Sequence, residues 1–162
     1  MLSIMMNTIR RESKIQCRRT ADGRPSKKQE KLIGAAVCAN SVKEAHQRCI
    51  NQATYFITDT ISMKENRRKL AYICCNMNRM EECIYNAMAT SSLPVCNPDK
   101  AQTSVDFLNS VQGNLMNFLC AEYSPESDSC AKYRVDKPKT KKSPYKSFTL
   151  PLIESLATVG DE

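Results

Sequence analysis

The sequence is poor in the residues that several common classes of protein require. It has no tryptophan and only 4 glycines, whereas β-sandwiches and barrels depend on turn glycines and β-branched strands. No stretch approaches the roughly 18 consecutive apolar residues of a membrane-spanning helix, so no transmembrane segment is predicted. Leucine, isoleucine, valine and phenylalanine make up only about a fifth of the 162 residues, a low share for a globular core. Cross-links are therefore the expected support of the fold.

Groups that commonly carry catalysis are scarce as well. His46 is the only histidine, so any mechanism that needs an imidazole would depend on it, and its polar neighbours favour an exposed structural role. Secreted phospholipases A2 place a His-Asp pair after two adjacent helical cysteines, but Asn76, Met77 and Asn78 follow the pair here. The chain also has no P-loop and no dinucleotide-binding glycine motif. We therefore predict a protein that is not an enzyme and uses no cofactor.

The net charge of +7 is concentrated in two flanks. Residues 1–31 contain nine Lys or Arg and three acidic residues, and residues 131–146 contain seven and one, whereas residues 32–130 have a slight acidic excess. Basic flanks of this composition are typical of solvated, disordered segments that attract polyanions non-specifically. Because the flanks lack regularly interleaved aromatic residues, we expect a weak polyanion contact and no specific nucleic-acid binding.

Three helical segments are predicted between the flanks. The first covers residues 32–53, and the second covers residues 62–91 with a capping box at Ser62 and Glu65. The third opens at Asn97 and Pro98, a cap residue followed by proline in the first helical position. Apolar residues recur at helical spacing along the second helix (Leu70, Ile73, Met77, Met80, Ile84, Met88) and the third (Ala101, Val105, Leu108, Val111, Leu115, Phe118, Leu119). Each stripe is expected to face the core.

These segments predict an all-α fold, a small disulfide-stapled bundle of three to four helices with disordered basic flanks. Residues 1–31 are assigned to the first flank and residues 32–130 to the helical disulfide domain. Residues 131–162 are expected to be a Lys/Pro-rich tail that is mostly unstructured, with one short element or none over residues 147–159.

The nine cysteines are the most informative feature of the sequence. Cys17 lies in the basic flank and is predicted to be unpaired. The other eight fall in the helical domain, and an even number suits a disulfide framework. No CxxC pair accompanies the single histidine, so we predict no metal site. The eight cysteines predicted to form disulfides are Cys38, Cys49, Cys74, Cys75, Cys83, Cys96, Cys120 and Cys130.

The adjacent pair Cys74 and Cys75 constrains the pairing. Successive residues on a helix point about 100° apart, so the two side chains leave the helix in different directions and do not bond to each other. We predict that one bonds to Cys38 or Cys49 on the first helix and the other bonds to Cys120 or Cys130. The sequence does not choose further, since eight cysteines allow 105 connectivities.

The cysteine spacing also resembles that of a known group of proteins. Its elements are the run Ile73-Cys74-Cys75-Asn76, then Glu82-Cys83-Ile84, Cys96, and the segment 120–130, which reads C-x-x-Tyr-x-Pro-x-Ser-x-x-Cys. This arrangement resembles a large group of uncharacterised, secreted, cysteine-rich helical proteins of arachnids and other arthropods. The resemblance implies an extracellular helical disulfide domain without an assigned enzymatic activity, and it supplies no catalytic residues.

Disulfides normally require an oxidising compartment and hence a signal peptide. Residues 1–11 have neither the basic n-region of a signal peptide nor an apolar run long enough for its h-region. We therefore expect an extracellular protein whose given N-terminus is incomplete. Its expected function is to bind a protein partner or a small apolar ligand. The alternative is a toxin-like extracellular effector that its basic flanks direct to anionic surfaces.

Overall fold

The computed structural model describes residues 23–124, 129–133, 137–140 and 142–159, with the side chains of residues 114 and 115 outside the description. The regular secondary structure of these residues is helical throughout. The helices are α1 (Lys27–Ser41), α2 (Lys43–Ile61), α3 (Asn66–Ala89), α4 (Pro98–Leu119), a 3-10 turn (Ala121–Tyr123), α5 (Ser129–Lys132) and α6 (Thr149–Ala157). The predicted all-α, disulfide-stapled fold is confirmed.

The chain divides into two compact units. The first unit is drawn from Met1–His46 and Cys83–Gly113, and the second from Gln47–Glu82 and Asn114–Glu162. Both units therefore combine segments that are distant in sequence.

The N-terminal helical region differs from its prediction in two ways. Helix α1 begins at Lys27, inside the predicted flank, because Ser26 provides a capping box. The Ser26 hydroxyl accepts a hydrogen bond from the Gln29 backbone N–H at 3.3 Å, and the Gln29 side chain accepts one from Ser26 N–H at 2.7 Å. The helix predicted over residues 32–53 is also interrupted at Val42, whose φ of −111° and ψ of 27° are not helical. Cys38 and Cys49 consequently lie on different helices.

The capping box predicted at Ser62 and Glu65 is wrong. Helix α3 begins at Asn66, and the Ser62 hydroxyl instead donates to the Asp59 carbonyl at 3.2 Å, at the end of α2. A serine that binds the carbonyl three residues earlier finishes one helix rather than starting the next. The cap predicted at Asn97 is confirmed, because its side-chain oxygen accepts the Lys100 backbone N–H at 2.9 Å.

The two predicted apolar stripes have different outcomes. The α3 stripe is buried from Ile73 to Met88, with Leu70 partly buried. The α4 stripe is interrupted at Gly113, which has φ 71° and ψ 179°. Because this residue breaks the helical register, Met116 is buried while Phe118 is 80% exposed.

Of the two alternatives left open for residues 147–159, one short element or none, the structure has the element, helix α6. Helix α6 buries Leu152 and Leu156, an apolar pair one turn apart, in the second unit. The Thr60 hydroxyl shares a buried hydrogen bond of 2.6 Å with Ser155. Lys69 is almost fully buried, and its ammonium donates to the Thr158 hydroxyl at 2.7 Å. These contacts connect α6 and the residue that follows it to the end of α2 and the start of α3.

Candidate ligand-binding site

A cleft of about 390 Å³ opens in the second unit. We call it the Asp59 cleft. Three segments form its walls: the end of α2 and the turn after it, the first half of α3, and a short piece of the tail. The lining residues are Asp59, Ser62, Met63, Tyr72, Lys139 and Thr140.

Asp59 is a buried carboxylate that organises one wall of the cleft. It is only 9% exposed. One oxygen, Oδ2, accepts the backbone N–H of Lys139 at 2.7 Å. The other, Oδ1, accepts the Thr140 backbone N–H at 2.9 Å and the Thr140 hydroxyl at 2.5 Å. A carboxylate offers about four lone-pair sites, so Asp59 holds the tail segment in place and keeps capacity to accept a further hydrogen bond.

Tyr72, on α3, is a second buried residue of the lining. It is 4% exposed, and its ring packs edge-on against Phe56, with the centroids 6.0 Å apart and the planes at 62°. The Arg79 guanidinium lies 5.6 Å from the Phe56 ring centroid. Aromatic packing of this kind fixes the orientation of the phenol.

The hydroxyl of Tyr72 has no hydrogen-bond partner among the described residues. In that part of the chain, Asn76 Oδ1 is the one fully enclosed side-chain polar atom without a partner. The Tyr72 hydroxyl is thus not fully enclosed, and Tyr72 is one of the residues that line the cleft. A buried tyrosine hydroxyl usually has a partner, so this one is available to a bound molecule.

Burial raises the pKa of Tyr72 above its usual value of 10.0, and the negative charge of Asp59 raises it further. The positive charges of Arg79 and Arg68 offset part of this shift. The phenol therefore keeps its proton at neutral pH and acts as a hydrogen-bond donor. A group with a raised phenolic pKa is suited to binding and is a poor general base near neutrality.

The adjacent cysteines lie two and three residues after this tyrosine on α3. Cys74 bonds to Cys120, and Cys75 bonds to Cys130, with Cα–Cα distances of 5.4 Å and 5.5 Å. Both disulfides pack in a cluster with Ala71 and Tyr123. The wall of the Asp59 cleft that carries Tyr72 is consequently tied to the segments after α4.

The predicted pairing of the adjacent cysteines is partly wrong. The two do not bond to each other, as the helix geometry requires. The prediction that one of them bonds to the first helix is wrong. Both partners, Cys120 and Cys130, lie in the short region after α4 that contains the 3-10 turn and α5. The side chains of Cys74 and Cys75 point about 100° apart, and two short elements of one segment can meet both directions as well as two separate helices can.

The remaining predicted residues are placed as follows. Cys38 bonds to Cys96 within the first unit, Cys49 and Cys83 are also disulfide-bonded, and Cys17 lies outside the described residues. His46 is half-buried rather than exposed, and burial lowers its pKa below 6.5.

Sequence reasoning missed the residues that build the cleft. Asp59 lies in the run Phe56–Thr60, where an acid between buried apolar and threonine residues is a weak sign of an internal hydrogen-bonding role. Tyr72 carries no such sign, since it continues the buried face of α3 between Ala71 and Ile73. The contribution of Lys139 and Thr140 depends on tertiary structure alone.

Across the described ranges, no group of histidine, cysteine or acidic side chains is arranged to hold a metal ion. Nor does that part of the chain contain a helix with the length and apolar character needed to cross a membrane. Comparison with protein-family models gives no match, and neither does comparison with curated proteins or with solved structures. Function has to be inferred from the cleft and the disulfides.

Proposed function

We propose that the protein is a secreted, non-enzymatic binding module that takes up a small, largely apolar ligand in the Asp59 cleft. The observation that carries this proposal is that Tyr72 lines a cleft and that its hydroxyl has no partner among the described residues. The volume of about 390 Å³ falls in the range of small-molecule sites. Met63 and the Tyr72 ring supply the apolar surface, and the other four lining residues, which are polar or charged, give a bound molecule its orientation.

The disulfides support the extracellular part of the proposal. All eight cysteines of the described residues are bonded, and such frameworks persist in oxidising compartments. The same bonds consume the thiols that a cysteine-dependent enzyme would need. The resemblance to secreted arthropod proteins agrees with this interpretation.

A nuclear magnetic resonance titration tests the site directly. The probe is N-phenyl-1-naphthylamine, an uncharged apolar molecule, added to the oxidised, ¹⁵N-labelled full chain. We expect the backbone amides of Ser62, Met63, Tyr72 and Thr140 to shift with a single saturable curve. The matched control is the same titration after reduction of the disulfides, which should abolish those shifts.

Shifts confined to the first unit would contradict the proposal. Exposed apolar side chains lie there at Ile33 and Val37, one turn apart on α1, and a response at these residues would favour a protein-binding surface instead. The absence of any saturable shift in the second unit would also reject the ligand-binding role of the cleft.

A second candidate is the toxin-like effector directed to anionic surfaces. The exposed residues Lys27, Lys28 and Lys31 at the start of α1 favour it. Retention on heparin tests this candidate: elution well below physiological salt would reject it. If retention is strong, changing these three lysines to Gln should weaken it, whereas the matched change of the exposed second-unit residues Lys64, Arg67 and Arg68 should have less effect.

A further inference from the structure

We infer that the Asp59 cleft selects an uncharged ligand bearing a hydroxyl group, held between the Asp59 carboxylate and the Tyr72 hydroxyl, over isosteres bearing an amine or a carboxylate. This inference rests on the proposed function, since it takes the cleft to be the binding site. It adds the chemical class of the ligand.

The polar groups of the cleft are best matched by a ligand group that both donates and accepts a hydrogen bond. Ionised Asp59 only accepts, and its Oδ2 has one donor, the backbone N–H of Lys139. Tyr72 provides an O–H donor for which the described residues offer no acceptor. A ligand hydroxyl donates its hydrogen to Asp59 and accepts the Tyr72 hydrogen on its oxygen. An ether or a ketone can accept the Tyr72 hydrogen but has no hydrogen to donate to Asp59, and a hydrocarbon forms neither hydrogen bond.

An ionised ligand of either sign satisfies only one of the two polar groups. An ammonium can pair with Asp59 but has no lone pair to accept the Tyr72 hydrogen, and Lys139, which lines the same cleft, repels it. A carboxylate can accept from Tyr72 but has no hydrogen to donate, and Asp59 repels it. An ionised ligand also loses its hydration when it enters the cleft, which is costly. An uncharged hydroxyl forms both hydrogen bonds without that cost.

Four isosteric probes separate these classes: 2-(2-naphthyl)ethanol, 2-(2-naphthyl)ethylamine, 2-naphthylacetate and 2-ethylnaphthalene. Each is titrated into the oxidised full chain, and the dissociation constant is taken from the amides of Ser62, Met63, Tyr72 and Thr140. We expect the alcohol to bind tightest, about 10- to 100-fold tighter than the hydrocarbon, because it adds two hydrogen bonds that are each worth about 3- to 10-fold.

The Tyr72→Phe variant isolates the hydroxyl, since it keeps the ring and its packing on Phe56. We expect this variant to weaken binding of the alcohol by about 3- to 10-fold and to leave the affinity for 2-ethylnaphthalene unchanged. Tyr85→Phe is the matched control: Tyr85 is half-buried on α3 in the first unit and does not line the cleft. It should change neither affinity.

The outcomes distinguish this inference from the proposed function. Tightest binding of the amine or of the carboxylate overturns the inference, and so does equal binding of the alcohol and the hydrocarbon. In each of these cases the cleft is still a binding site, so the proposed function stands. If none of the four probes shifts the cleft amides, both are wrong.

Discussion

At the scale of single residues, Asp59 shows how one buried carboxylate fixes a segment that lies 80 residues away in sequence. Its three acceptor contacts satisfy two backbone N–H groups and one hydroxyl of residues 139–140. Hydrogen bonds to a charged acceptor are stronger than those between neutral groups. The position of Lys139 and Thr140 beside the cleft thus depends on hydrogen bonds to one buried side chain.

Replacing Asp59 should destabilise the protein and release this segment. Asp59→Ala removes all three contacts, and we expect the free energy of unfolding to fall by about 2–3 kcal/mol. Urea unfolding measures the loss, and hydrogen exchange should speed up at the amides of Lys139 and Thr140. Asp106→Ala is the matched control, because this exposed carboxylate accepts a hydrogen bond from the Gln102 side chain one turn away and does not line the cleft. It should change stability by about 0.5 kcal/mol or less, and an equal loss in both variants would contradict the role of Asp59.

His46 should make stability depend on pH in a defined direction. Burial lowers its pKa in the folded state below 6.5, so the unfolded chain binds a proton more readily. Its stabilising contribution is complete above pH 6.5 and is lost as the pH falls toward the folded-state pKa. The urea midpoint should decrease between pH 7.5 and pH 5, and His46→Gln should flatten that slope. An unchanged slope in the variant would show that other groups cause it.

At the scale of helices, the backbone at Gly113 decides which apolar residues reach the core. Its φ of 71° with ψ of 179° lies in a region that only glycine occupies without strain. The periodicity of α4 predicts one continuous stripe, but the stripe is divided at this residue, with Phe118 exposed and Met116 buried.

Alanine substitutions at two glycines should have opposite effects. Gly113→Ala forces a side chain into a strained conformation, and we expect a loss of about 1–3 kcal/mol. Gly34→Ala should stabilise the protein by about 0.5–1 kcal/mol, since Gly34 lies inside α1. A methyl group there would meet the flexible end of the Lys100 side chain at 3.4 Å. Thermal or urea unfolding of both variants checks the signs, and stabilisation by Gly113→Ala would reject the strain argument.

The sequence predicts the features that local chemistry decides. The buried face of α3 follows from its three- and four-residue spacing, and the start of α4 follows from Asn97 and Pro98. The features it does not predict depend on distant contacts. Val42 interrupts an apparently continuous helix, and Leu152 and Leu156 are buried only because the rest of the second unit is there to cover them. The Asp59 cleft belongs to this second class, since its walls come from residues about 80 positions apart.

At the scale of the whole molecule, disulfides compensate for a core with few large aliphatic residues. The chain-entropy model gives each loop a stabilisation that depends on its length. The loops closed by Cys38–Cys96, Cys74–Cys120 and Cys75–Cys130 have sequence separations of 58, 46 and 55 residues. Each bond is then worth about 4 kcal/mol, which is large beside the 5–15 kcal/mol that typically separates folded from unfolded domains.

Two double variants separate global stability from the integrity of the cleft. Replacing Cys74 and Cys120 by Ser, or Cys38 and Cys96 by Ser, opens loops of similar length, so both should lower the free energy of unfolding by about 4 kcal/mol. The effects on binding should differ, because Cys74 lies two residues after Tyr72, which lines the cleft, whereas Cys38 and Cys96 belong to the first unit. Loss of the Cys74–Cys120 bond should weaken binding of N-phenyl-1-naphthylamine about 10-fold or more, because a site that is no longer preorganised must be ordered when the probe binds. The Cys38 and Cys96 variant should bind the probe normally at a temperature where it is fully folded. Equal weakening in both would show that the disulfides act on the cleft only through overall stability.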